Sequence, residues 1–317
     1  MSTSGRLVHI VDDVEGLAAD AREGEGPALV LSLDGFLDAG SAAGLAARHL
    51  AGLVEGPVVA TFDVDAFYDY RARRPPVTFA RDHYTDYEAP RLVVRLQRDA
   101  AGTPYLLLTG PEPDNRWEAF CRAVREVVER FSVSRVVGMG AVPMAVPHTR
   151  PITFTEHANA PARRADLLTT TSPWDGEMRV PSSAQALLEV RLGEWGQPAL
   201  GYVAHVPHYL AQLEYPAASV VLLEHVERAA AIAVDLTALR EAAATRADEV
   251  AEYLAEHPEV AEVVVGLERQ YDAFRRAEES GEGLLAPDRP LPTAEELGDE
   301  FEEFLARLDR GDEPPRT

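Results

Sequence analysis

Residues 28–44 read Ala28-Leu-Val-Leu-Ser-Leu-Asp34-Gly35-Phe-Leu-Asp38-Ala-Gly40-Ser41-Ala-Ala-Gly44. An apolar run of strand length passes into a turn with glycines at 35 and 40, then into a small-residue stretch suited to a helix. Strand, turn and helix in immediate succession make the repeating unit of α/β sheets. The same alternation continues outward from Arg6 to about Glu227. Strands are expected at 7–11, 28–33, 58–62, 92–96, 105–109, 135–138, 166–170 and 200–205, and helices at 41–53, 115–131, 183–195 and 217–231. Several strands are apolar on both faces, as in a sheet covered on both sides, so a mostly parallel sheet is expected. Ser182, with Gln185 three residues on, has the spacing of a capping box for the third helix.

After about Val234 the texture changes. From Glu241 to Thr317 there are 8 arginines against 22 acids. Leu236, Leu239, Ala243, Val250 and Leu254 form one helical stripe, and Val260, Val263, Val264, Leu267, Tyr271 and Phe274 form another, with Pro258 between them. A Gly/Pro-rich linker at about 280–292 leads to a last helix with Leu297, Phe301, Phe304, Leu305 and Leu308 on its apolar face. The expected organisation is a core at 1–234 and an acidic helical extension at 235–317.

Composition narrows function. The 317 residues carry 53 acids and 30 basic residues, a formal charge of −23, and every basic residue is arginine. Schiff-base, pyridoxal, P-loop and kinase chemistry need an ammonium and are excluded. The negative balance and scattered arginines argue against nucleic acid. No apolar run is long enough for a membrane span. A polar start without a signal pattern and a single cysteine, Cys121, place the chain in the cytoplasm.

The turn at Gly35, Asp38, Gly40 and Ser41 aims backbone N–H groups at the space above the sheet's carboxyl edge, where anions are favoured. Ser41 stands where a P-loop lysine belongs, so triphosphate hydrolysis is rejected. The alternative is a tight turn with Asp38 as helix cap. Gly138-Met139-Gly140 begins like a dinucleotide fingerprint, but Pro143 replaces the third glycine and a proline-punctuated loop at 142–151 is expected instead of a helix. Glu156-His157 and His205-Val-Pro-His208-Tyr209 crowd titratable groups near strand ends, a pattern suited to acid–base work or to hydrogen-bonded structural histidines. Pro207 and the lack of a ligand carboxylate argue against a metal. Cys121 lies on an apolar helical stripe and reads as core. Arg71, Arg73 and Arg74, with Tyr68, Tyr70, Tyr84 and Tyr87, suit a recognition loop or subunit contact, or a solvated loop paired with Asp65, Asp69 and Asp82.

Several stretches taken in order resemble the proteasome assembly chaperone 2 family, in its long actinobacterial branch. They are Pro27 to Val30 through Gly35-Phe36 to Gly40-Ser41, Val136 to Ala141, His205 to Tyr209 with Tyr215-Pro-Ala-Ala218, and Leu267-Glu268-Arg269-Gln270-Tyr271-Asp272. The resemblance implies a three-layer α/β/α sandwich like that of nucleoside phosphorylases, self-association as a trimer, and a protein-interaction or assembly role, with no cofactor. Proteasome components are the partner it suggests. The terminal Asp312-Glu-Pro-Pro-Arg-Thr317 lacks the hydrophobic-tyrosine tail with which some relatives enter the proteasome ring. No catalytic set stands out. The other reading is a small-ligand receptor or phosphorylase- or hydrolase-like enzyme, with an anion near Gly40 and Ser41 and with Glu156 or His157 serving the leaving base.

Overall fold

The computed structural model describes residues 6–11, 14, 26–35, 37–53, 56–160, 177 and 179–280. The expected strand at 166–170, the linker and the last helix lie outside these residues. In chain order the elements are β1 (Val8–Ile10), β2 (Leu29–Asp34), a 3-10 turn (Ala39–Ser41), α1 (Ala42–Leu53), β3 (Val58–Phe62), α2 (Val64–Phe67), β4 (Thr78–Ala80), β5 (His83–Thr85), β6 (Val93–Arg98), β7 (Pro104–Pro111) and α3 (Trp117–Arg130). They continue with β8 (Val136–Met144), β9 (Phe154–Ala158), α4 (Ala184–Glu194), β10 (Ala199–Pro207), a second 3-10 turn (His208–Leu210), α5 (Pro216–Ala230), α6 (Thr237–Glu256) and α7 (Pro258–Ser280).

Eight strands form one sheet in the order β1-β3-β6-β7-β2-β8-β10-β9. The sheet is mixed, which corrects the expectation of a mostly parallel one. Only β7, β2, β8 and β10 run parallel as neighbours. The pairs β1–β3, β3–β6, β6–β7 and β9–β10 are antiparallel. The short turn between Arg98 and Pro104 cannot accommodate a crossover, so β6 and β7 must fold back as a hairpin.

Successive side chains on a strand face opposite ways, and the apolar residues of β2 divide accordingly. Leu29 and Leu31 join the core under α3 and α4, while Val30 joins the core under α1 and α5. Leu106 and Leu108 of β7 fall with the first set and Leu107 with the second. Each such leucine, fully withdrawn from water, contributes about 2 kcal/mol. Three layers result: helices on both faces of one sheet.

α1 buries Ala42, Ala43, Ala46 and Ala47, small enough for α5 to approach closely, and the Ser219 hydroxyl of α5 donates to the Ala42 carbonyl at 2.8 Å. The cap of α4 is displaced by one residue from the expected box: Ser183 Oγ accepts from Ala186 N–H at 3.0 Å. Ser182 instead donates to the Ser183 carbonyl, and Gln185 donates to the Met139 carbonyl.

β8 does not end at Gly138 but runs to Met144, so the loop expected from Val142 begins later. Proline is tolerated at 143 because β2 pairs with β8 only through Gly138, leaving the distal half with β10 as its ladder partner. The chain divides into two compact units, Met1–Glu268 and Arg269–Thr317. The first extends past the boundary expected at 234, because Leu236, Leu239 and Val250 are buried in the core under α1 and α5. The described part of the second is the distal portion of α7.

Candidate functional site

Parallel strands bring their carboxyl ends to one rim, and β2, β7, β8 and β10 deliver Asp34, Glu112, Met144 and Pro207 there. The turn after β2 reaches back to β8 through a bridge between Asp38 and Ala141. Gly40 and Ser41 both hold left-handed backbone (φ 66° and 49°). Gly40 N–H donates to the Ala211 carbonyl at 2.8 Å, and its own carbonyl accepts from Tyr215 N–H at 2.8 Å. A Cβ on Gly40 would stand 2.8 Å from Tyr215 Cβ. The turn and the segment after β10 are thus in direct contact, with their polar backbone groups spent on each other.

The N-terminus of α1 is also occupied from within. Asp38 accepts from Ala43 N–H on Oδ1 and from Gly44 N–H on Oδ2, both at 2.8 Å. Burial raises the Asp38 pKa, against the opposing pull of those N–H groups and of Arg48. Asp34 is raised too, by burial and by Asp38, with Arg48 and Arg73 opposing. Two acids at the mouth of the turn disfavour a bound anion.

The second half of the rim is organised by Arg73. Its guanidinium donates to the Asp34 carbonyl (3.3 Å) and the Glu112 carbonyl (2.5 Å), pairs with Asp114 at 2.7 Å, and lies over the Tyr68 ring. Asp114, not Asp65, Asp69 or Asp82, is therefore the partner of the cluster's central arginine. Glu112 Oε1 accepts from Ala184 N–H at 2.7 Å and so fills the N-terminus of α4. Val64, Phe67, Tyr68, Leu92 and Pro111 to Pro113 line a shallow apolar dent beside this corner.

The sequence motifs are not gathered into one place. Glu156 and His157 are consecutive on β9, a strand absent from the expected set, and consecutive strand residues point to opposite faces. Glu156 is buried toward α5, where it accepts from Tyr202, whose pKa burial and this carboxylate raise. His157 faces α4 and meets Glu189 at 2.9 Å. Burial opposes its protonation, but the Glu189 hydrogen bond and charge raise its pKa above the ordinary value. A shared acid–imidazole dyad cannot form.

His205 sits within β10 between the hydroxyls of Thr153 and Thr155, each at 2.9 Å, and burial lowers its pKa. His208 is exposed on the 3-10 turn, edge-on to Tyr209. Met139 packs in the α1/α5 core, while Gly138 lies under the Gln185 side chain and Gly140 near Val203. Cys121 is fully buried among α3's apolar residues, and burial pushes its thiol up to about 12. Among the described residues, no group of three His, Cys, Asp or Glu side chains comes together to hold a metal ion, and no helix is long and apolar enough to cross a membrane.

One contact set was not anticipated. Tyr209 Oη accepts from His148 N–H at 2.9 Å and meets His148 Nδ1 at 2.7 Å. The next residues clasp α7: Thr149 Oγ1 donates to Glu268, and Arg150 pairs with Glu268 at 3.1 Å. Glu268 lies inside the 267–272 stretch, but its partners are over a hundred residues away, beyond any spacing rule.

The carboxyl rim of this α/β/α sandwich is thus occupied by its own side chains, with Asp38 on the α1 N-terminus, Glu112 on that of α4 and Arg73 on the Glu112 carbonyl. A family model described as the PAC2 family matches residues 32–254. The chain belongs to the PAC2 family. It is similar to a protein of unknown function from Mycobacterium tuberculosis, at 44% identity over 87% of this chain and 94% of that one, with a TM-score of 0.79. A protein of unknown function from Corynebacterium glutamicum follows at 35% identity, covering 84% and 97%, with a TM-score of 0.78. A proteasome-assembly chaperone homologue of Mycobacterium tuberculosis matches at 29% identity over 75% and 99%, with a TM-score of 0.67. No protein of curated function matches the chain.

Proposed function

We propose that this chain is a protein-interaction or assembly factor that works through its outer surface, self-associates as a trimer and engages proteasome components in the cytoplasm. The single observation that carries the reading is the filled rim: Asp38 occupies the α1 N-terminus, and Gly40 is locked onto Ala211 and Tyr215. A small anionic ligand would first have to displace a carboxylate held by two N–H groups. Membership of the PAC2 family, and similarity to a proteasome-assembly chaperone homologue, supply the class of partner.

The test is reconstitution. Purified chain is added to proteasome α and β subunits from the same organism, and assembled particles and half-assembled intermediates are resolved on native gels. Faster or more complete assembly, with the chain bound to an intermediate, is the expected result. Unchanged assembly and no bound chain would overturn the proposal.

A further inference from the structure

Strands β8, β10 and β9 end the sheet on one side, and their register sets side chains in rows across the face turned to α4. Gly140, Val203 and Thr155 form one row, and Val142, His205 and Thr153 the next. The row before these is covered: Gln185, in the first turn of α4, lies over Gly138, and the His157 ring lies across Gly201. Both later rows are nearer the carboxyl rim and past the end of the helix. Thr155 is exposed, and Gly140, Val203 and His205 are half-buried. Among the described residues, and chain neighbours apart, a Cβ on Gly140 would meet one heavy atom within 4 Å, Val203 Cγ2 at 3.7 Å. The floor is therefore bare backbone with open space above it.

Beside that space stands a hydroxyl–imidazole–hydroxyl array. Thr155 Oγ1 is 2.9 Å from His205 Nε2, and Thr153 Oγ1 is 2.9 Å from His205 Nδ1. A neutral imidazole has one donor and one acceptor nitrogen. With Nδ1–H donating to Thr153, Nε2 accepts from the Thr155 O–H. Burial lowers the His205 pKa, so the ring is uncharged at neutral pH and able to take a proton. An exposed hydroxyl on a base, with the base oriented by a third group, is the arrangement that activates an alcohol as a nucleophile.

We propose that Thr155 is a nucleophile and His205 its general base, with Thr153 a positioning residue, and that the array cleaves neutral esters of short acyl groups. The space over Gly140, flanked by Val142 and Val203, takes the acyl chain, and the charge of −23 disfavours anionic esters. The Thr155 oxygen bonds to the acyl carbon as its proton passes to Nε2. The bond from that carbon to the ester oxygen breaks, and the departing alcohol takes the proton. Water, giving its proton to the same nitrogen, then attacks the acyl-threonine, which releases the carboxylic acid and restores the hydroxyl.

The test is acylation of the full chain by p-nitrophenyl acetate, with the adduct mapped by peptide mass spectrometry. Acetyl-Thr155 should form at least about tenfold faster than acetyl-Thr149, an exposed threonine bonded to Glu268 instead of an imidazole. Thr155→Val should abolish the adduct, Thr155→Ser should retain it at residue 155, and His205→Gln should slow it about a hundredfold. Thr153→Val should slow it too, and the imidazole 15N spectrum should show the loss of the Nδ1–H tautomer that the unaltered chain displays. No adduct on Thr155, or one that forms equally fast without the His205 imidazole, overturns the proposal. An unaltered chain whose His205 carries its proton on Nε2 also overturns it, because Thr155 then has no base.

Discussion

Replacing Gly40 by alanine tests the closure of the rim directly. Two costs add at this position. The φ of 66° places a non-glycine residue in left-handed backbone, which costs about 1–2 kcal/mol. The new Cβ would also stand 2.8 Å from Tyr215 Cβ and 3.3 Å from Val206 Cγ1. Neither neighbour is the free end of a flexible side chain, and relieving such overlap costs about 1–3 kcal/mol more. The expected loss is therefore about 2–5 kcal/mol.

Gly102→Ala is the internal control. Its φ is 87°, but nothing lies within 4 Å of the added Cβ, so only the backbone cost of about 1–2 kcal/mol applies. Urea unfolding of the two variants, compared at equal m-value, isolates the steric part. Gly40→Ala no more destabilising than Gly102→Ala would refute the packing of the turn against Tyr215.

Four further outcomes follow from the contacts. Ser183→Ala should cost about 1 kcal/mol through loss of the α4 cap, and Ser182→Ala much less, as read by thermal unfolding; the reverse order would return the cap to Ser182. His157 should titrate above the ordinary histidine range by NMR, and Glu189→Gln should bring it down. Its folded pKa is raised, so its share of stability is fully present below the unfolded pKa of about 6.5 and disappears as pH rises through the folded value. His205 works the other way: its folded pKa is lowered, so stability falls as pH drops from about 6.5 toward that value, and His205→Asn should flatten this acid limb. Glu268→Gln should speed amide exchange in the first turns of α7 while leaving the sheet protected, since it weakens the clasp to Thr149 and Arg150.

Much of the architecture was legible because period and polarity report burial. The apolar runs at 28–33, 58–62 and 105–109 fall on β2, β3 and β7, and Pro258 divides the two tail helices as expected. β9 escaped because Phe154-Thr-Glu-His-Ala is short and polar at an edge, where one face and one side need no apolar residue. Strand direction was not legible either, since an apolar run reads the same both ways.

The site was legible only as separate pieces. Asp38 as a helix cap and Cys121 as core could be read from local pattern. That Glu156 and His157 point apart depended on recognising β9. The Arg73–Asp114 and Arg150–Glu268 pairs join segments that only the completed fold brings together.

The most direct test follows the backbone amides of Gly40, Ser41, Ala43 and Gly44 by NMR while phosphate, and then nucleosides, are titrated into the protein. Amides already engaged by Ala211 and Asp38 should keep their shifts unchanged to millimolar ligand. Saturable movement of this set of resonances would mean that the rim admits an anion, and the case for a surface-acting scaffold would give way to one for a ligand site.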